Sequence, residues 1–232
     1  MEKRALAIIG AGGFGREAAE YARDINRVKP TWNRIGFIDD NSDLSGRIIE
    51  GVPVWGTTET IDEQIKEYLG IVLNDGDGNE YLIKRNDIDI VCAIGNPKIK
   101  KKAIYSFQHM GFRFVNVIHP TAYLGRNITL GHGIIIGPYS VITTNVRLEN
   151  HVSINPQCGV GHDCIIGGYT SLYWNVNISG NVEIGKACEL GTKSTILQGL
   201  SIGSECVVGA NAVVTKSIPS NLVVVGVPAK PI

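Results

Sequence analysis

One of the five histidines in this 232-residue chain is followed directly by a carboxylate. It is His162-Asp163, in the stretch Val160-Gly161-His162-Asp163-Cys164-Ile165. An imidazole titrates near neutral pH and can take a proton from a nucleophile, and a carboxylate that reaches it orients the ring and raises its basicity. Adjacent side chains in an extended segment point apart, so the pair works only if a turn brings Asp163 round. From spacing alone, a catalytic base and a solvent-facing turn residue both stay open for His162.

A second group suits a phosphate. Gly10-Ala11-Gly12-Gly13-Phe14-Gly15 reads GxGxxG between an apolar strand, Ala5 to Gly10, and a helix with Ala18, Ala22 and Ile25 at helical spacing. Glycines let backbone approach a ligand closely, and a helix N-terminus offers free N–H groups with partial positive charge. Asp39-Asp40 ends the next strand, Arg34 to Asp40, where a ribose-binding carboxylate would sit. A nucleotide-type ligand follows; an NAD-dependent oxidoreductase does not, because about 110 residues are too few for a full dinucleotide fold plus a catalytic domain. The competing reading is that these glycines only make a tight turn.

The remaining candidates are weaker. His132 and His151, nineteen apart, could sit close on neighbouring turns of a repeat, but no third histidine is suitably spaced, so no metal is expected. His119 reads as structural and His109 as a helix surface or packing residue. Asp75-Gly76-Asp77-Gly78-Asn79 opens like a calcium loop, but Glu80 and Asn86 stand where glycine and a bidentate carboxylate are required, leaving a turn. Tyr173-Trp174 reads as solvent-side packing or interface surface, with a ligand contact as the alternative.

Composition limits what must position these groups. The 22 basic and 22 acidic side chains cancel, and no basic stretch exceeds Lys100-Lys101-Lys102, which argues against nucleic acid or an anionic membrane as partner. No apolar run approaches a membrane span, and Met1 to Gly10 reads as a first strand rather than a signal peptide. Five cysteines without a CxxC pair suggest neither disulfides nor a zinc ribbon, so a cytoplasmic setting is the default. Glycine is in excess, 28 of 232 residues, without a collagen period.

The strongest pattern starts at Ile118. Every sixth residue from there to Val214 is Ile, Leu or Val, 17 positions out of 17. Four residues further on stands a small or apolar side chain, among them Ser140, Thr170 and Ser194, and four of the five cysteines take that slot. Gly follows the aliphatic residue in nine of the 17 hexads, read here as freedom for the turn. This period fits neither an α-helix nor an alternating strand. It predicts a parallel β-helix of five to six triangular coils, with residues 18 apart stacked and the cysteines as packing residues.

The first 117 residues alternate strand and helix. Strands are expected at Ala5–Gly10, Arg34–Asp40, Asp89–Gly95 and Arg113–Val117, and helices from Gly15 to Asn26, from Glu59 to Leu69 and around Ile99, Ala103, Phe107 and Met110. A small Rossmann-like parallel sheet follows, interrupted over Ile71–Ile88 by an insertion read as a hairpin around Asp75–Asn79. The fold class is therefore α/β plus all-β, with domains 1–117 and 118–232.

Taken together, these segments resemble the PglD-like group of hexapeptide-repeat acyltransferases, which modify nucleotide-linked amino sugars and are related to sialic acid O-acetyltransferases. The resemblance covers nearly the whole chain. It rests on Ile8 to Glu17, Gly36-Phe37-Ile38-Asp39-Asp40, Ala93-Ile94-Gly95-Asn96-Pro97, Val117-Ile118-His119-Pro120, Gly161-His162-Asp163-Cys164 and Gly226-Val227-Pro228-Ala229-Lys230.

The resemblance implies a left-handed β-helix, a homotrimer with active sites in grooves between subunits, and acetyl-CoA as co-substrate. By position, Gly12, Gly13 and Phe14 would contact the nucleotide-sugar phosphates, Asp39 and Asp40 the base or ribose, and Gly95 the same pocket. His162 would be the general base, Asp163 its supporting carboxylate, and Asn155 a neighbour of the reacting amine. Gly180, Thr192 and Ala210 would contact acetyl-CoA, and Gly180 N–H would face the tetrahedral oxyanion. Ser171 stands where the family often has a second histidine at the thioester and would contact acetyl-CoA there through a donated hydrogen bond, and Phe14 stands where its loop often has histidine. The implied reaction is N-acetylation of a nucleotide-linked 4-amino-4,6-dideoxy sugar without a covalent intermediate. O-acetylation of a sugar hydroxyl, a zinc β-helix enzyme of carbonic-anhydrase type and a non-catalytic nucleotide-binding assembly protein are the alternatives.

Overall fold

A computed structural model of the chain describes residues 4–61, 73–74, 80–81 and 87–232. Contacts divide it into two units, Met1–Ile94 with Lys102–Val115, and Gly95–Lys101 with Asn116–Ile232.

In the first unit, β1 (Arg4–Ile9) runs through the glycine loop into α1 (Gly13–Val28), followed by β2 (Trp32–Ile38), β3 (Ile48–Ile49) and β4 (Val52–Gly56). The short strands β5 (Leu73–Asn74) and β6 (Glu80–Tyr81) pair antiparallel, as the expected hairpin requires. The residues of its turn, and most of the helix expected over Glu59–Leu69, lie outside the described residues. Next come β7 (Ile88–Cys92), α2 (Pro97–Gln108), whose residues up to Lys101 belong to the second unit, and β8 (Arg113–Phe114). The sheet order is β3-β4-β2-β1-β7-β8, parallel except for the edge strand β3.

Ala5 to Ile9 and all of β7 are buried, as continuous apolar strands covered on both faces must be. Strand β4, which the sequence reading missed, brings Trp55 onto Gly36, where a Cβ would stand 2.1 Å from the indole. Asp89, inside buried β7, accepts hydrogen bonds from Arg4 (2.6 and 3.0 Å), Trp32 (2.9 Å) and Arg113 (2.7 Å). Burial pushes its carboxyl pKa up, but these donors outweigh burial and hold it below the usual value.

Helix α2 turns a different face inward from the one expected. Lys100, Ile104 and Phe107 are fully buried, while Ile99 is 58% exposed. The periodicity was right at Phe107, but the inward row continues through a lysine, which reads as solvent-facing in any apolar count.

The second unit is a left-handed parallel β-helix. Two-residue strands on three faces pair parallel with strands 18 residues on, as in Ile136 with Ile154 and Val160 with Ile178. From Ile136 to Val214 every expected aliphatic residue is buried. The register shortens at the end, where Val207 and Val208 pair with Val223 and Val224, so the six-residue run stops as the last coil loses two residues.

Two assignments for the coils change. The nine glycines after the aliphatic residues all have ordinary φ. They are needed because the next coil passes close by: a Cβ at any of them would come within 2.8 Å of it, and at Gly125 within 1.6 Å of Thr143 O. Left-handed backbone occurs two residues later, at positions such as Asn145, Asp163 and Asn181. The small slot is also more than packing. Ser140, Cys158, Cys164, Thr170, Cys188 and Cys206 each donate to a backbone carbonyl of the following coil, at 2.9–3.1 Å.

Candidate active site

Asp163 adopts φ +58°, and this left-handed turn brings its side chain back to its neighbour. His162 Nδ1 lies 2.7 Å from Asp163 Oδ2, with the two side chains 62% and 51% exposed. Hydrogen bonds from His162 and then Asn145 (Nδ2 to Oδ1, 3.1 Å) hold the Asp163 carboxyl below its usual pKa. A carboxylate only accepts, so Nδ1 carries the hydrogen and the lone pair is left on Nε2. That edge of the ring lies over Gly180, whose backbone makes room for it: a Cβ there would be 2.4 Å from Nε2. Glu183 and Asn181 line a recess of about 270 Å³ beside Asp163.

The other residues expected at the coils fall at a different corner. Stacking bonds join Arg126 to Asn145, Thr144 to Asp163, His162 to Asn181 and Gly180 to Gly199 along one edge. A second edge runs through Pro156, Trp174, Thr192 and Ala210, joined by Asn175 N to Pro156 O, Lys193 N to Trp174 O and Asn211 N to Thr192 O. Asn155, half-buried, begins that second edge, and Thr192 and Ala210 are exposed on it. One chain therefore groups Gly180 with His162 and Asp163, but places Asn155, Thr192 and Ala210 one side of the triangle away.

Ser171 is used differently from the expected thioester contact. It is 1% exposed. Its hydroxyl donates to Gly95 O (2.7 Å) and accepts from Lys100 Nζ (2.8 Å), so its hydrogen is already engaged. Lys100, fully buried, also donates to Ser153 Oγ (2.8 Å) and to the carbonyls of His151 and Tyr169. Gly95 lies against the Tyr173 ring, where a Cβ would be 3.4 Å from Cε1. Tyr173 and Asn96 both donate to Glu189, each at 3.0 Å. Burial first, then the Glu189 charge, pushes the Tyr173 hydroxyl pKa up, so it stays protonated. Sequence reasoning missed Lys100, whose signal was its place three and four residues from other inward positions of α2.

The glycine loop separates into structural and open positions. Gly10 has φ +98°, and a Cβ on Gly15 would stand 1.9 Å from Gly10 O, so these two shape the strand-to-helix turn. Gly12 caps α1, with nothing within 4 Å of a built Cβ, and Gly13 has only the Arg16 guanidinium at 4.0 Å. Their missing side chains therefore leave open space at free N–H groups, while Phe14 is half-buried. Asp39 accepts from Ala11 N (2.8 Å) and Asn41 N (3.0 Å), and Asp40 from Thr58 N (2.9 Å). Both carboxylates thus hold loop backbone, with further acceptor positions to spare.

His132 and His151 do meet across coils, edge to face at 5.0 Å, with Tyr169 stacked on His151 at 5.2 Å. Burial, then the His132 and Lys100 charges, pushes the His151 pKa down to about 3, leaving it neutral. His119 Nδ1 accepts from Thr121 N at 3.1 Å, a local structural contact. His109 lies just beyond α2, edge-on to Tyr105. Among the described residues no group of three or more His, Cys, Asp or Glu could hold a metal ion, and no helix is long and apolar enough to cross a membrane.

Residues 5–107 match the family described as PglD N-terminal domain, and residues 181–216 match the hexapeptide repeat of succinyl-transferase. The structure is similar to the acetyltransferase domain of PglB from Neisseria gonorrhoeae, at 28% identity over 99% of this chain and 100% of that one, with a TM-score of 0.73. It is also similar to PerB from Caulobacter crescentus in complex with CoA and GDP-perosamine, at 26% identity over 98% and 97% of the two chains, with a TM-score of 0.81. Among curated proteins, a serine acetyltransferase from Buchnera aphidicola is 33% identical over 133 residues, covering 56% of this chain and 43% of that protein. The chain spans less than half the length of the curated relatives it matches.

Proposed function

Because the chain belongs to the PglD-like hexapeptide-repeat acyltransferases, we propose that it transfers the acetyl group of acetyl-CoA to the amine of a nucleotide-linked 4-amino-4,6-dideoxy sugar. The observation that carries this reading is the exposed His162–Asp163 pair with its Nε2 edge over Gly180. The complex of the similar PerB with CoA and GDP-perosamine supports the substrate class.

The sugar amine attacks the thioester carbonyl with its lone pair. His162 Nε2 takes the proton the nitrogen must lose, a step worth roughly 10²–10⁴-fold. The Gly180 N–H faces the oxyanion of the tetrahedral intermediate. As that intermediate collapses, the C–S bond breaks, and the proton passes from His162 to the departing sulfur. Asp163 stabilises the imidazolium in between. Gly12, Gly13 and Phe14 receive the nucleotide-sugar phosphates at the start of α1, with Asp39 and Asp40 towards the ribose or base.

Acetyl-CoA lies along the coils near Gly180, Thr192 and Ala210. These residues, like Asn155 and His162, divide between two corners of one chain, so a complete site needs a corner from each of two copies. A homotrimer supplies that arrangement, and the exposed Tyr123, Tyr139 and Val141 offer apolar surface for it.

The test is thiol release from acetyl-CoA with a panel of nucleotide-linked amino sugars, with the product checked for an amide or an ester. An amide product and loss of turnover in His162→Ala are expected. No release with any amino sugar, or full activity in His162→Ala, would overturn the assignment.

A further inference from the structure

We propose that Asn145 is a positioning residue for His162, acting through Asp163 as the middle rung of a side-chain ladder that spans three coils; the catalytic part of this inference rests on His162 being the base. Asn127 Nδ2 donates to Asn145 Oδ1 at 3.0 Å, and Asn145 Nδ2 donates to Asp163 Oδ1 at 3.1 Å. Asp163 Oδ2, its other oxygen, meets His162 Nδ1 at 2.7 Å. The direction of the ladder is fixed by chemistry. Asp163 can only accept, so Asn145 must present its NH₂ upward, and its carbonyl is then left to accept from Asn127. Each rung is 18 residues from the next, in the register of the coils.

Left-handed backbone by itself does not call for these residues. Asn127, Asn145, Asp163 and Asn181 all have φ between 53 and 58°, a conformation that Asn and Asp tolerate well. Yet the matching turn positions on the other two edges are mixed: Tyr139, His151, Gln157, Tyr169, Ala187, Lys193 and Glu205 stand there beside Asn175, Asn211 and Asn221, with φ of 54–64°. Only the edge that carries His162 keeps Asn or Asp through four successive coils. With Oδ1 held by Asn145, the half-exposed Asp163 carboxylate keeps one orientation and offers Oδ2 to Nδ1. Without that rung, it rotates into water, and His162 loses the partner that fixes its tautomer and the direction of Nε2.

The test follows the His162 imidazole by nitrogen NMR in the full chain, together with turnover. Asn145→Gly removes the amide while suiting the left-handed turn, and Asn145→Asp puts a second carboxylate beside Asp163. Asn175→Gly removes an equivalent rung, Asn175 to Gln157 at 3.0 Å, on an edge without His162. The other charged side chains on this edge and its flanking strands, Arg126, Arg147 and Glu183, are unchanged in all three.

In the parent chain the neutral ring should be the Nδ1–H tautomer. Asn145→Gly and Asn145→Asp, neither of which can donate to Asp163 Oδ1, should mix the tautomers, and Asn175→Gly should leave the Nδ1–H form in place. Turnover in Asn145→Gly should fall roughly 3–10-fold with both KM values unchanged. An unchanged His162 tautomer in Asn145→Gly would overturn the ladder, whatever the activity. The spectra need no substrate, so a chain inactive on every amino sugar would refute the proposed reaction while the ladder is still decided by the tautomer.

Discussion

The imidazole of His162 lies against the backbone of Gly180, one coil further on, so closely that a methyl group there would stand 2.4 Å from Nε2. The proposed base and the proposed oxyanion donor would thus depend on one stacking contact, and its geometry leads to a first prediction.

Gly180→Ala should displace the imidazole while leaving the coil intact, because Gly180 does not need a left-handed φ. Turnover should fall about 10–100-fold, the melting temperature should change little, and the KM for the nucleotide sugar should hold. A variant with full turnover would show that the ring does not work from this position.

Ser171→Ala distinguishes a structural serine from an acetyl-CoA contact. It removes the donor to Gly95 O and an acceptor for the buried Lys100 ammonium, so unfolding free energy should drop by about 1–3 kcal/mol. The KM for acetyl-CoA should stay within about twofold, because the hydroxyl hydrogen is already engaged inside the chain. A large rise in that KM with unchanged stability would reverse the assignment.

Acid should destabilise the second unit through His151. Its folded pKa, about 3, lies well below the usual histidine value near 6.5, so the unfolded chain binds the extra proton first. The neutral ring's contribution is complete above about pH 6.5 and is lost as pH falls towards about 3. Denaturant titrations across that range should show a steeper fall for the parent chain than for His151→Phe. Equal slopes would mean that the buried imidazole is not held neutral.

The thiols should be silent in the folded protein. Burial pushes Cys158 up to about 12 and Cys188 up to about 11, and raises Cys164 as well, so these groups act as S–H donors and not as nucleophiles. All five cysteines are buried. Alkylation at pH 8 should label none of them before unfolding and all five afterwards. Rapid labelling of a native thiol, with loss of turnover, would reopen a covalent route.

Much of this was legible in order along the chain. The six-residue period from Ile118 to Val214 determined the coils, their 18-residue register and the inward cysteines, because a repeat that must bury its interior has to present an aliphatic residue at each side. The same register pointed to the Asp163 rung: Asn145 is 18 residues before it and could have been read as its neighbour. GxGxxG fixed the turn between β1 and α1, because only glycine suits the backbone at Gly10 and the contact at Gly15. The alternation of strand and helix likewise implied a parallel sheet, although β4 and its Trp55 were missed because that segment lacks a long apolar run.

Tertiary structure decided what pattern could not. The hexad glycines answer to the next coil rather than to a turn, which is a contact between residues 18 apart. Lys100 is buried because four oxygens from the coils meet its ammonium, an environment absent from any window of α2. Ser171 faces Lys100 and Gly95, and the expected site divides between two corners of the triangle. Residue type and spacing therefore determined which side chains could do chemistry. Which of them touch, and which have spent their hydrogen bonds, depended on stacking and burial, because those forces act between residues far apart in sequence.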